Sequence, residues 1–148
     1  MPPTKPRTYD PKLVVLTVAG TPIGGYADGT MITVNRESDA FTKYVGTQGV
    51  VSRAKSNDKS GSVTIFLAQT SPSNDVLSAI AKDDELSNNG VVPVVVKDIG
   101  GTSEHFGTFA WIRKVPESEY AREINAREWV LDASSLDQNV GSNLPPVL

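Results

Sequence analysis

Residues 13–18 read LVVLTV, five apolar side chains in six positions, four of the six β-branched. A run this short and this continuously apolar reads as a β-strand covered on both faces. Working outward, the same kind of stretch returns at 31–35 (MITVN), 50–55, 62–67, 91–97 (VVPVVVK), 105–115 and 126–133 (AREWVLDA). Each is bounded by Gly, Pro, Asn, Asp or Ser. One segment differs: Ser71 and Ser73 offer caps, Pro72 suits a first helical position, Asp75 sits in the first turn, and Val76, Leu77, Ile80 and Ala81 share a face at helical spacing. The sequence therefore predicts a mainly β fold, a β-sandwich or barrel of about seven strands with one flanking α-helix at 72–86. Residues 1–12 and 134–148, proline-containing and without period, are expected to be extended arms around a single domain at 13–133.

The connections carry their own chemistry. Residues 20–30 contain four glycines and an Asp28-Gly29 pair, which suits a tight hairpin turn. Residues 36–49 mix charges, aromatics and glycines, and are expected to be a long contact-making loop. The polar stretch Ser56 to Gly61 predicts a hairpin joining 50–55 to 62–67. Pro93 places its strand at an edge, or itself near the strand's start. Along 105–115, Phe106, Thr108, Ala110 and Ile112 are expected on one face, and Phe109, Trp111 and Arg113 on the other. Asp83, Asp84 and Glu85 fall near the end of the helix, where the dipole disfavours acids by about 0.3–1 kcal/mol each. Either a solvated acidic corner or a basic surface on a neighbouring subunit would account for them.

The 148-residue chain is 39% hydrophobic and 21% charged, which suits one folded domain. No apolar run approaches the roughly 18 residues of a membrane span. The N-terminus is broken by Pro2, Pro3, Pro6 and Pro11, so a secretory signal is not expected. With no cysteine there is no disulfide framework and no thiolate zinc site. A net charge of −3 argues against a dedicated nucleic-acid binder.

Catalytic patterns are absent from the sequence. His105 is the only histidine and no G-x-S-x-G elbow accompanies it. Glu128 and Asp132 fall on one strand face roughly 13 Å apart, beyond the ~9.5 Å limit of a glycosidase pair. Gly24-Gly25 and Gly100-Gly101 match no nucleotide-binding loop. Trp111 and Trp129 read as core or interface anchors. No cofactor or metal is expected.

Several blocks together resemble the tail tube proteins of contractile-tailed bacteriophages, a family of phage structural proteins. They are Tyr9-Asp10-Pro11-Lys12, Gly25-Tyr26-Ala27-Asp28-Gly29-Thr30, the block from Ser38-Asp39 to Ser60-Gly61, Gln69 to Asp75, Ala110 to Lys114, and Arg127-Glu128-Trp129. The resemblance implies a non-enzymatic subunit of the virion tail, made in the host bacterial cytoplasm. Six copies would form a ring, and rings would stack into a tube inside a contractile sheath, between baseplate and neck, with genomic DNA passing through unbound. It implies inter-ring contacts from Arg36, Glu37, Asp39, Phe41 and Tyr44, and inter-subunit contacts from Asp83, Asp84 and Glu85. Asn35, Arg53 and Lys55 become lumen candidates. Six copies at −3 would give a ring about −18, so the lumen is expected to carry more acids than bases and let phosphates slide. Two basic residues, Arg53 and Lys55, stand against that if they point inward. Rival readings are another tube-fold part (baseplate, terminator or secretion-system tube), a monomeric carbohydrate-binding β-sandwich, and a small hydrolase.

Overall fold

In the computed structural model, which describes residues 5–143, the LVVLTV run becomes β1 (Val14–Val18), entered through a 3-10 turn at Pro11–Leu13. Asp10 opens that turn by accepting the Lys12 amide at 3.0 Å. Leu16 and Val18 are fully buried, while Val15 and Thr17 on the other face are half covered. The strand expected to be covered on both faces is thus fully covered on one, because no described residue fully screens its outer side.

β1 turns back at Ala19-Gly20 into β2 (Thr21–Ile23). Both turn residues have positive φ, +53° and +78°, as a two-residue type I′ hairpin requires. The Asp28-Gly29 pair does not make the expected hairpin. Gly29 has a φ of +96°, but the strand that follows, β3 (Ile32–Arg36), pairs with β6 (Gly61–Ala68) rather than with β1. The remaining elements are β4 (Phe41–Val45), β5 (Val51–Lys55), α1 (Ser73–Ser87), β7 (Val92–Asp98), β8 (Glu104–Lys114), β9 (Ala126–Ala133) and β10 (Leu136–Asn139). Eight strands form one antiparallel sheet in the order β2-β1-β7-β8-β9-β6-β3, with β10 on the first half of β8; β4 and β5 pair only with each other.

The sheet curls. Three strands separate β1 from β6, yet Leu16 and Val18 share one buried cluster with Val63, Ile65 and Leu67. Ala110, Trp129, Leu131 and Leu77 of α1 belong to the same cluster, with Ile23, Val94, Val96, Ala133 and Leu136. Each large aliphatic side chain among them contributes roughly 1.5–3 kcal/mol by leaving water. Two sets of contacts draw the sheet's flanks together. Residues 25–27 pair with 66–68 through Ala27 N–H to Phe66 O and Ala68 N–H to Gly25 O, both 2.9 Å. On the other side Arg36 Nε donates to Leu136 O at 2.8 Å, and Gln138 Nε2 to Val34 O at 3.3 Å.

The helix is tied to that closure. Ser71 Oγ donates to Gly24 O at 2.6 Å and accepts the Ser73 amide at 3.2 Å, while Gly24 N–H donates to Ser73 Oγ at 3.0 Å. Gly25, with φ +74°, lies so close to Ser71 that a Cβ there would stand 2.5 Å from its Oγ. Asn74 accepts Trp129 Nε1–H at 2.9 Å and donates to Ala68 O, joining helix to core. Asn88, left-handed at φ +58°, ends α1.

Several expectations are corrected. Residues 50–55 do not pair with 62–67, because β6 is already flanked by β3 and β9. The 36–49 segment is not simply a loop, since β4 lies within it. The C-terminal stretch beyond 134 is drawn into the sheet as β10. Pro93, by contrast, takes the second of its two expected placements, near the start of its strand, which is an inner one, opposite a bulge where Thr108 and Phe109 of β8 face it. That bulge also breaks the expected alternation: Gly107 and Ala110 both point to the core, and Phe106 and Phe109 are both exposed.

Candidate assembly surfaces

The β4–β5 hairpin stands off the curled sheet. Every residue of both strands is exposed, including Tyr44 at 70% and Phe41 at 44%. An isolated two-stranded hairpin is marginal in water, and here its root is tied down. Ser56 N–H donates to Ala40 O at 2.8 Å and Glu37 N–H to Ser60 O at 3.1 Å. Asp58 accepts the hydroxyls of Ser38 and Ser60, both at 2.6 Å, and the Ser60 amide at 3.0 Å. Those bonds, the Ser38 hydroxyl first, push its pKa down to about 2. Arg113 chelates Asp132 across the sheet, with Nε at 2.9 Å from Oδ2, and its Nη2 reaches Glu37 at 3.9 Å.

Register sorts the hairpin into two faces. Phe41 opposes Lys55, Lys43 opposes Arg53 and Val45 opposes Val51; directly opposed residues share a face. One face therefore carries Lys43, Arg53 and Lys55 among Phe41, Val45 and Val51, with no acid in either strand. Arg53 lies over the Phe41 ring at 4.1 Å. Thr42, Tyr44, Ser52 and Ala54 make the other face, which is neutral.

At the opposite end of the sheet, the β8–β9 connection encloses a hollow of about 320 Å³. Glu117, Glu119 and Glu128 line it, with one base, Lys114, and apolar walls from Val115 and Val130. Tyr120 and Ile124 nearby are strongly exposed.

The structure separates the residues singled out from the sequence. Arg36 and Glu37 serve the hairpin's root, whereas Asp39, Phe41 and Tyr44 are exposed beyond it. Asp84 accepts the Gly90 amide at 3.2 Å and Asp83 the Ser87 hydroxyl at 3.0 Å, so both bond the helix's own end; Glu85 is exposed. Asn35 lies on the exposed face of β3 in the main sheet, whereas Arg53 and Lys55 lie on the separate β4–β5 hairpin. Lys43, Val45 and Val51 escaped the sequence reading, although period two across 41–45 would have put Phe41, Lys43 and Val45 on one side. Nor did it single out the glutamates of the 115–125 connection.

His105 lines a separate hollow of about 280 Å³ with Asp98 and Ser103, yet the three are not a triad. Its Nδ1 is buried with no partner among the described residues, while Asp98 accepts the Gly100 amide and Ser103 the Gly141 amide. Burial lowers the His105 pKa and favours the neutral ring. A triad would need the carboxylate on that Nδ1.

A curled antiparallel sheet with one flanking helix is shared with proteins of contractile injection systems. The chain superposes on a structure described as an extracellular contractile injection system, PVC sheath-tube complex in the extended state, with a TM-score of 0.61, 12% identity and coverage of 89% of this chain and 91% of that one. It superposes equally on the PVC sheath/tube terminator (TM-score 0.60, 12% identity, 93% and 100% covered) and on the anti-feeding prophage tube-terminating cap (0.60, 9%, 94% and 94%). The chain thus shares its fold with components of contractile injection systems. At the level of sequence, residues 18–141 match the family described as bacteriophage PhiTE tail tube protein, and the chain belongs to that phage tail tube family. It is also 30% identical to "Structural protein ORF10" of Pseudomonas phage KPP10, over 92% of this chain and 83% of that protein. It is a structural component of a phage tail and not an enzyme.

Proposed function

We propose that this chain is the repeating subunit of the tail tube: six copies close into a ring, and rings stack into a hollow conduit for DNA ejection inside a contractile sheath, from baseplate to neck. The observation that carries the reading is the β4–β5 hairpin, a rooted but coreless projection whose apolar side chains are all in water. Such a projection gains burial only from another molecule. Ring closure would also cover the sheet's outer strands, β2 and β3, which otherwise expose unpaired backbone. The outer side of β3 and β6 offers Thr33, Asn35, Ser62 and Thr64, a wall without a base that suits sliding phosphates. In this reading Asp39, Phe41 and Tyr44 make ring-to-ring contacts, Glu85 meets a ring neighbour, and Arg53 and Lys55 lie off the lumen. The terminal arms act as clamps; residues 1–4 and 144–148 of those arms lie outside the described residues.

Negative-stain microscopy of the purified protein at high concentration tests this. Stacked tubes are expected, and uniform monomers would refute it. The likeness to two terminators favours a second reading, a tube-capping ring, which single rings that never stack would support.

A further inference from the structure

The bases of the hairpin have no acidic partner among the described residues, and Arg53 meets only the Phe41 ring. Lys43 and Arg53 sit directly opposite each other, and like charges so placed destabilise a strand pair. Lys55 shares their face, β4 and β5 contain no acid, and none of the three makes an ion pair among the described residues. A coreless hairpin with this charge is better suited to an acidic receiver than to water.

The register locates one. The hairpin leaves the sheet where Arg36 pairs with Gly61 and Gly61 with Ala133; the glutamate hollow lies at the other end, where Ala68 pairs with Ala126. The hollow's lining runs along β9 from Val130, three residue steps from the root, to Ala126, seven steps away, or roughly 10 to 23 Å. Among the described residues, no hairpin base pairs with a glutamate of the hollow. Two different patches that complement each other generate a head-to-tail contact that repeats.

We propose that the basic face of the β4–β5 hairpin docks into the Glu117/Glu119/Glu128 hollow of a second copy of this chain, in the next ring. This rests on the stacked-tube reading and gives its axial contact a chemistry. The apolar residues agree with it: Phe41, Val45 and Val51 interleave the bases, and Val115 and Val130 wall the hollow. Duplex DNA is the less suitable receiver, since three bases spaced by three apolar side chains would leave the latter against phosphates.

Charge reversal tests the pairing, by negative-stain microscopy in low salt with thermal melts as the control for folding. K43E/R53E/K55E and E117K/E119K/E128K are each expected to raise the concentration needed for tubes about tenfold or more, and the six-fold swap variant to recover assembly. Tubes from either triple variant at the wild-type concentration would overturn the pairing and leave the tube reading intact, as would a swap that fails to recover. Normal tubes that eject DNA abnormally after the hairpin reversal would point to DNA as the receiver and also overturn it. Wild-type protein that makes no tube at all would overturn the tube reading and the pairing together. Because the chain has no cysteine, R53C/E128C supplies a readout independent of tube stability. A disulfide ladder of linked copies on a non-reducing gel is expected, and unlinked monomer from assembled tubes would sink the contact.

Discussion

β6–β9 and β4–β5 are both antiparallel pairs, and they are stabilised from opposite directions. In β6 the alternation is complete: Gly61, Val63, Ile65 and Leu67 face the core while Ser62, Thr64, Phe66 and Ala68 do not, and Trp129 and Leu131 of β9 answer them. In β4 and β5 no side chain is buried. Each pair is antiparallel, but β6 and β9 have a further hydrogen-bonded neighbour, β3 and β8, whereas β4 and β5 have only each other. The apolar surface also goes to different places: into the chain's own core in one case and into solvent in the other, where the proposed stacking would cover it.

The sharpest test of that contrast is to damage the core pair. Trp129 is 2% exposed and its indole N–H is bonded to Asn74. Trp129→Ala should cost about 3–5 kcal/mol, from the cavity and from the orphaned Asn74 carbonyl. A urea-melt midpoint that barely moves would break the comparison, because the sheet would then owe little to its interior.

Next in size is Gly25→Ala. It forces a side chain into a left-handed position already filled by Ser71, and so loosens the lock between the 24–27 segment and the start of α1. A loss of about 1–3 kcal/mol is expected. An unchanged melt would mean that the closure at 25–27 is not part of the cooperative unit.

That lock explains how far the sequence could be read. The blocks at 25–30 and 69–75 were visible as words, but their meaning is mutual: Gly24 bonds Ser71 and Ser73 across 47 and 49 residues of chain, and Gly25 lies against Ser71. β6, β9 and α1 were legible because each carries a one-sided apolar period. β10 was not, since LDQN has a single apolar residue and is a strand only because β8 offers it an edge. The faces of β8 were misread because a bulge shifts the alternation by one without leaving a mark in composition. On the candidate surface, the exposed aromatics Phe41 and Tyr44 were found through the length and polarity of their segment. The basic face was missed because it exists only once Lys43 is registered against Arg53.

Tyr44→Ala examines the other half of the contrast. At 70% exposure with no core contact, its loss should leave the melt within about 0.5 kcal/mol of wild type. Assembly is where the cost is expected, a weakening by ~2 kcal/mol if Tyr44 is an anchor, read from the concentration at which tubes appear. A large drop in the melt instead would show that the hairpin is packed on its own chain.

The smallest effect concerns the root where the two regions join. Asp58 holds a pKa of about 2 because Ser38 and Ser60 donate to its carboxylate. A carboxylate whose pKa is depressed on folding favours the folded root above its ordinary value of 3.8, and that contribution fades as pH falls toward 2. Asp58 is fully exposed, so the change should be confined to the hairpin while the sheet is unaffected. The Ser60 amide resonance is expected to titrate with a midpoint near 2 and to lose its titration in Asp58→Asn, with Trp129 Nε1–H unmoved in both. A midpoint at the ordinary carboxylate value would show that the serines do not hold the root, and the hairpin would then be hinged rather than aimed.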